Sequence, residues 1–338
     1  MSIWSKFVRA GVVGGVVFSA CTSAATPAPT SPSATQTSAP TAQLDTTPVT
    51  VGWNSPPDIG YLPLLMAIDS MNAKGYKVAT VTLAGDLTSQ GLIQNSVQIA
   101  NIGGLPVGAA AIAKGAPIKV IATRVSNEAV WVSLTEYSNC ATLTGKTVGL
   151  FAEVSSFTSQ MNAYFDLNCK GVKPNYLTIP DSALRAQSMA AGGIVATVLG
   201  LADAVALDAK SPGKYKLVPM GTALGGVSDG ILWSNDATLA SHPSIITALI
   251  TEQLLAIRSF YKDPSQLTAM AAKFNVTSPV ANQYVEKKLW YANGGLGSDG
   301  IEKTLALFSL PGTRQTIVNA GPMNEALKAI GKSDATQY

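Results

Sequence analysis

Two turns in this chain have the composition to hold a negatively charged group. The first is Val97-Gln98-Ile99-Ala100-Asn101-Ile102-Gly103-Gly104-Leu105-Pro106, where a short strand gives way to two glycines and Pro106 opens an Ala-rich run, Val107 to Ala113. A strand, a glycine turn and a helix start leave unpaired backbone N–H groups pointing outward, and the helix dipole favours negative charge there. The glycines let a ligand approach the backbone. Taken singly, such a turn more often only closes a strand–helix unit. The second turn is Val154-Ser155-Ser156-Phe157-Thr158, where hydroxyls join the N–H groups of another helix start. Ser156 there serves equally as a plain helix cap. Two such starts facing one another would bind an oxyanion without a formal positive charge. Acids stand near other turns, Asp58, Asp86, Glu128, Glu153 and Asp203, each more commonly a solvated or capping residue.

The same inventory argues against catalysis. The single histidine, His242 in Ser241-His242-Pro243, is expected to pack near the surface after Ser241 caps a helix. Ser-His-Asp chemistry needs its histidine at a cleft and metal sites need clustered ligands. No enzyme, metal or cofactor is expected.

The elements that must position these turns alternate. Strands are expected at 49–53, 77–83, 97–102, 118–124, 130–134, 147–151, 176–179, 196–199, 216–218 and 229–234. Helices are expected between them, at 61–74, 87–93, 107–113, 156–167, 182–190 and 202–209. Such spacing implies parallel sheets covered on both faces, arranged as two α/β domains. Everything after Ser234 reads as helical, with Ile246, Ile250, Leu254, Ile257 and Tyr261 on one face, and packs back on the first domain. Ligands in open α/β sheets sit beyond the carboxyl ends of strands. Those ends select Asn54, Ser55 and Tyr61, then Gly85 and Asp86, then Gly104 and Leu105, then Ser155 and Ser156, and Gly200. Trp53, Tyr61 and Phe157 could lie against an apolar body, although aromatics on such turns more often pack.

Composition sets the compartment. With 338 residues the chain suits two domains, and only 13% of them are charged. The net charge of +3 falls to +1 without Lys6 and Arg9, which offers no face to nucleic acid. Lys6 and Arg9 precede an apolar run, Ala10 to Ala20, too short to span a bilayer but suited to a signal peptide. Phe18-Ser19-Ala20-Cys21 resembles a bacterial lipobox, with Phe18 in the place usually held by Leu, and implies lipidation of Cys21. Ordinary cleavage or an uncleaved anchor are the alternatives. Residues 22–47 are rich in Thr, Ser, Ala and Pro and read as a flexible tether. Of the exported cysteines, Cys140 precedes one strand and Cys169 ends the helix after it, so topology brings them together. They form either a disulfide or two separate buried thiols.

The order of words in the chain is similar to that of solute-binding proteins of ABC importers for taurine, other alkanesulfonates and nitrate. The pieces are Val51-Gly52-Trp53 with Pro63 and Ala67, the stretch Asn95 to Pro106, Leu143-Thr144-Gly145-Lys146-Thr147-Val148-Gly149 leading to Ser155-Ser156, and His242-Pro243. The resemblance covers about Val49 to Phe308. It implies a type II periplasmic binding protein fold of class α/β: two lobes, each with a mostly parallel sheet flanked by helices, joined by two hinge crossings. A signal peptide and lipobox would occupy 1–21, a linker 22–47, the first lobe 48–128 and 231–338, and the second lobe 129–230. It further implies an extracytoplasmic monomer, lipid-anchored to the outer face of the cell membrane, that closes on a small organic anion or zwitterion and meets ABC permease and ATPase subunits. Asp229 matches the hinge acid that would meet an amino group in taurine-like ligands. A Trp common near Gly200-Leu201-Ala202 in that family is missing, which admits a bulkier solute. A thiamine-pyrimidine-like or aromatic solute, and a ligand-sensing lipoprotein, are the alternative readings; enzymes of this fold use histidines or other residues that the chain lacks.

Overall fold

The computed structural model describes residues 44–83, 86–272, 278–296 and 299–333. The expected signal peptide, Cys21, most of the tether and Gly85 lie outside the described residues. Ten strands are present among them: β1 (Val49–Trp53), β2 (Val78–Thr82), β3 (Ile99–Asn101), β4 (Ile118–Val125), β5 (Ala129–Leu134), β6 (Thr147–Leu150), β7 (Asn175–Thr178), β8 (Ala196–Gly200), β9 (Tyr215–Pro219) and β10 (Gly230–Asn235). They form two five-stranded sheets, in the orders β2-β1-β3-β10-β4 and β7-β6-β8-β5-β9. In the first sheet β1 runs parallel to β2 and β3, while β10 is antiparallel to β3 and β4. In the second, β6 runs parallel to β7 and β8, while β5 is antiparallel to β8 and β9. Each sheet is therefore parallel except for one strand, the first that the chain makes after crossing over.

The crossings are short and lie side by side. Residues 126–128 lead from β4 to β5, and residues 220–229 lead from β9 to β10. The Asp229 N–H donates to the Ser126 carbonyl at 2.8 Å, and Asn127 Nδ2 donates to the Val227 carbonyl at 3.2 Å. These bonds hold the two crossings against one another.

The helices that matter for the site are α1 (Leu62–Ala73), α2 (Leu87–Ile93), α3 (Leu105–Ala113), α4 (Ser156–Asn168), α5 (Ser182–Ala190) and α6 (Leu201–Lys210). Pro63 and Pro106 sit in the first turns of α1 and α3, where a missing N–H costs nothing. Ser155, not Ser156, caps α4, its hydroxyl accepting from the Thr158 N–H at 3.1 Å. Asp181 caps α5 in the same way at 2.8 Å.

Three expectations are corrected. The helix Pro243–Lys262 has His242 at its N-cap and no side-chain cap, because the Ser241 hydroxyl donates backward to the Ala237 carbonyl at 2.7 Å. The end of the tether is held rather than free. His242 Nδ1 lies 3.0 Å from Asp45 Oδ2, and the folded unit begins at Leu44. The buried face of Pro243–Lys262 includes Phe260, while Tyr261 is only partly covered.

Cys140 and Cys169 are joined by a disulfide across 29 residues, with Cα atoms 5.1 Å apart. It ties the start of the β6 unit to the C-terminus of α4. In the chain-entropy model, closing this loop contributes about 3–4 kcal/mol. Replacing both cysteines with serine is therefore expected to lower stability by roughly that amount in denaturant titrations. An unchanged midpoint would mean that the unfolded chain gains nothing from release of the loop.

Candidate functional site

Turns at the carboxyl ends of β1, β3, β4, β6, β7 and β8 face each other between the two sheets, and enclose a cavity of about 280 Å³. The start of β10, entering antiparallel, closes it from behind. Each wall carries one buried arginine.

On the side of the first sheet, Arg124 is the last residue but one of β4 and is 4% exposed. Its Nη2 meets Glu128 Oε1 at 2.8 Å, and its guanidinium lies 3.8 Å above the Tyr61 ring. The other Glu128 oxygen accepts from the Tyr284 hydroxyl at 2.6 Å. Behind this pair stands an aromatic stack, Tyr284 against Trp290, whose indole N–H donates to the Gly60 carbonyl at 3.1 Å. Asp58 caps the short turn Ile59–Tyr61 by accepting from the Gly60 N–H at 2.9 Å. Gly60 is required there, since a Cβ would come 2.4 Å from Arg124 Nη1 and 2.6 Å from Glu128 Oε2.

On the side of the second sheet, Arg185 projects from α5 and is fully buried. Its Nε donates to the Val198 carbonyl at 3.1 Å and its Nη1 to the Ile179 carbonyl at 2.7 Å. The guanidinium lies 5.4 Å from the Phe151 ring and 5.9 Å from the Phe157 ring. Ser182, Asp181 and Asp203 complete this wall.

The seam between the walls is tight. The Ser156 N–H donates to the Gly103 carbonyl at 3.1 Å, so the two helix starts bind each other. A Cβ on Gly104 would stand 2.7 Å from Ser156 Cβ, which leaves no room for an oxyanion between them. The Ser156 hydroxyl also accepts from Gln160 Nε2 at 3.1 Å.

Electrostatics follow from this burial. Five carboxylates line the cavity, Asp58, Glu128, Asp181, Asp203 and Asp229, against two guanidiniums. Burial, with the nearby Glu128, pushes Asp58 up to about 7. Burial pushes Asp229 up to about 6, against a hydrogen bond from the Ser156 hydroxyl that pulls it down. Asp203 is also raised, chiefly by burial. Burial works against the charge on Arg124, but Glu128 more than offsets it and holds the guanidinium well above its ordinary value. Arg185 has no such partner, and burial brings it down to about 10 despite Asp203 and Asp181.

A pH dependence results. An acid raised on folding is bound more tightly to its proton in the folded state, so its contribution is complete below the unfolded value and is lost as pH rises through the folded one. For Asp229 and Asp58 that window runs from 3.8 to about 6 and about 7. The unliganded protein is expected to melt at a higher temperature at pH 5 than at pH 8, and Asp229→Asn is expected to flatten this slope. A midpoint that rises with pH across that range would contradict the assignment.

No protein family model and no curated protein matches the sequence. Solved structures do. A ligand binding component of an ABC-type import system from Staphylococcus aureus, with zinc bound, is 14% identical over 82% of this chain and 98% of that one, at a TM-score of 0.67. The periplasmic nitrate-binding protein NrtA from Synechocystis is 13% identical over 85% of this chain and 90% of that one, at 0.66. The periplasmic aliphatic sulphonate binding protein SsuA from Escherichia coli is 17% identical over 70% of this chain and 78% of that one, at 0.55. The chain has the periplasmic binding protein fold. Neighbours that share this binding-protein fold carry zinc, nitrate and aliphatic sulphonates in their names, so the fold alone selects no ligand. Among the described residues, no group of three His, Cys, Asp or Glu side chains could hold a metal.

Within the binding-protein fold, Asn54, Ser55, Tyr61, Gly104, Ser155, Ser156, Gly200 and Asp229 come together around the cavity. Leu105 does not, because its side chain is fully buried in the core as the first residue of α3. Asp86 does not either; it is exposed at the start of α2, beyond β2, the outermost strand of its sheet. Of the other acids, Glu153 is exposed away from the lining, whereas Asp58, Glu128 and Asp203 belong to it. Trp53 packs edge-on against Tyr61 at 5.6 Å and gives its N–H to Thr82 Oγ1 at 3.1 Å. Arg124 and Arg185 were not among the expected site residues. The signal for Arg124 is a charge near the carboxyl end of a mostly apolar strand, and for Arg185 a charge four residues before the buried Met189 on one helix face.

Proposed function

We propose that this chain is the extracytoplasmic solute-binding component of an ABC importer and closes on a small organic zwitterion. The observation that carries the reading is the cavity itself, sited at the strand ends of both sheets and beside the paired crossings, as a ligand clamped by hinge rotation requires. The surplus of carboxylates favours a solute with a protonated nitrogen, and Asp229 is the acid to meet it. Asn54, Ser55, Tyr61, Ser155, Ser156, Gly104 and Gly200 supply the surrounding contacts. Bare nitrate or a simple alkanesulfonate leaves Asp58, Asp203 and Asp229 without a cation. A second reading, an aromatic or heterocyclic cation such as a thiamine-pyrimidine precursor, is favoured by the Tyr61, Phe151 and Phe157 rings in the lining. Lipidation of Cys21 would hold the protein at the membrane on its tether, where it would meet the permease and ATPase subunits.

The test is the thermal midpoint against taurine, alkanesulfonates, nitrate, aminophosphonates, thiamine-pyrimidine precursors and aromatic acids. A solute at a hundred times its Kd adds about 2.7 kcal/mol, a shift of several degrees. Shifts are expected with members that carry a protonated nitrogen. Shifts with nitrate alone, or with no member, would contradict the proposal.

A further inference from the structure

We infer that Arg185 takes the anionic group of the solute, a carboxylate, sulfonate or phosphonate, through its Nη2. The inference rests on the solute-binding reading and names a donor that the helix starts do not provide. The Ser156 N–H, which would serve an oxyanion at the start of α4, is spent on the Gly103 carbonyl at 3.1 Å. Ser155 Oγ accepts from the Thr158 N–H, which leaves its hydroxyl hydrogen to donate but supplies no positive charge. An anion in this cavity still needs a charged partner.

Arg185 has the geometry to be it. Two of its nitrogens are fixed to the backbone, Nε on Val198 and Nη1 on Ile179, so the plane of the guanidinium is set before any ligand arrives. The remaining nitrogen, Nη2, is buried and has no hydrogen-bond partner. Nature seldom leaves such a donor without one. The side chain lines the cavity, beside Phe151 and Phe157. The two carboxylates nearest in influence, Asp181 and Asp203, line the same cavity but form no ion pair with it. Arg124 also has two buried nitrogens without a hydrogen-bond partner, Nε and Nη1, but its charge is already answered by Glu128 at 2.8 Å. One cation free to accept an anion, and acids free to accept a cation, are what a zwitterion would need at its two ends.

Three readouts test this on the purified protein. Crystals soaked in sodium bromide are expected to show bromide within hydrogen-bond distance of Arg185 Nη2. Sodium formate, titrated at constant ionic strength, is expected to raise the thermal midpoint saturably in the wild type and not in Arg185→Met. A zwitterionic solute found by the midpoint panel is expected to bind Arg185→Met about thirtyfold more weakly or worse, and Arg185→Lys by an intermediate amount. Where Arg185→Met fails to fold, the bromide position in the wild type and the Arg185→Lys affinity decide. No bromide at Nη2, with an equal formate response in the wild type and the variants, would overturn the inference. Formate binding at Arg185 with no organic solute bound would instead defeat the solute-binding reading, and a zwitterion held equally well by wild type and Arg185→Lys would defeat only the role of Arg185.

Discussion

Gly104→Ala is expected to weaken solute binding by about tenfold to a hundredfold while leaving each sheet intact. Gly104 has φ of +90°, a backbone state that costs a side-chain-bearing residue about 1–3 kcal/mol. Its added Cβ would also stand 2.7 Å from Ser156 Cβ, 3.2 Å from Ser156 Oγ and 3.5 Å from the Asp229 carbonyl. None of these can retreat cheaply, because Ser156 begins α4 and the Asp229 N–H is bonded to the Ser126 carbonyl just before β10. The substitution therefore props the two sheets apart at the seam where Ser156 and Gly103 bond. Apparent affinity falls in proportion to the lost population of the closed form. Calorimetric titration checks this, with far-ultraviolet circular dichroism to confirm the fold; unchanged affinity would mean that the Gly103–Ser156 contact plays no part in closure.

The largest loss of stability is expected from Glu128→Ala. Arg124 and Glu128 each have side chains 5% exposed, and Glu128 also accepts the Tyr284 hydroxyl. Removing one partner of a buried pair leaves the other charge in a medium that cannot solvate it, at a cost of about 3–5 kcal/mol. The midpoint should fall by roughly 6–15 °C. Asp58 softens this, since Glu128 is one cause of its raised affinity for a proton; without Glu128 it ionises more readily and can answer Arg124. Replacing both members, as Arg124→Met with Glu128→Leu, should cost far less than Glu128→Ala alone. A double variant as damaged as the single would show that packing, not the stranded charge, sets the loss.

Much of the scaffold is legible in the sequence because it is local. The helices at 87–93 and 182–190 are bounded by turn residues and coincide with α2 and α5. The ends of the β1, β3, β6 and β8 units lead to Asn54, Gly104, Ser155 and Gly200 without knowledge of which strands are neighbours, since ligands collect at one edge of any such sheet. The order of strands is not local, and that is why Asp86 misleads: its turn is like the others, but β2 lies at the edge of its sheet and Asp86 is exposed outside the lining. Leu105 misleads for another reason. A turn can offer its backbone to a cavity while its side chain goes to the core. Arg124 and Arg185 stay hidden because a charge in a strand or on a helix reads as solvated until its neighbours, Glu128 and Tyr61 or Phe151 and Phe157, are known. The close approach of Gly103 to Ser156 joins residues more than fifty apart and leaves no local mark.

On the proposed function, a solute with a protonated nitrogen lies in the cavity against Asp229. Calorimetric titration of one such solute, identified by its midpoint shift, into wild type and Asp229→Asn between pH 5 and pH 8 tests it most directly. Affinity is expected to be greatest near pH 8, to fall as pH drops through about 6 where Asp229 takes up its proton, and to be weak at every pH in Asp229→Asn. Equal affinity in both proteins, unaffected by pH, would contradict the claim.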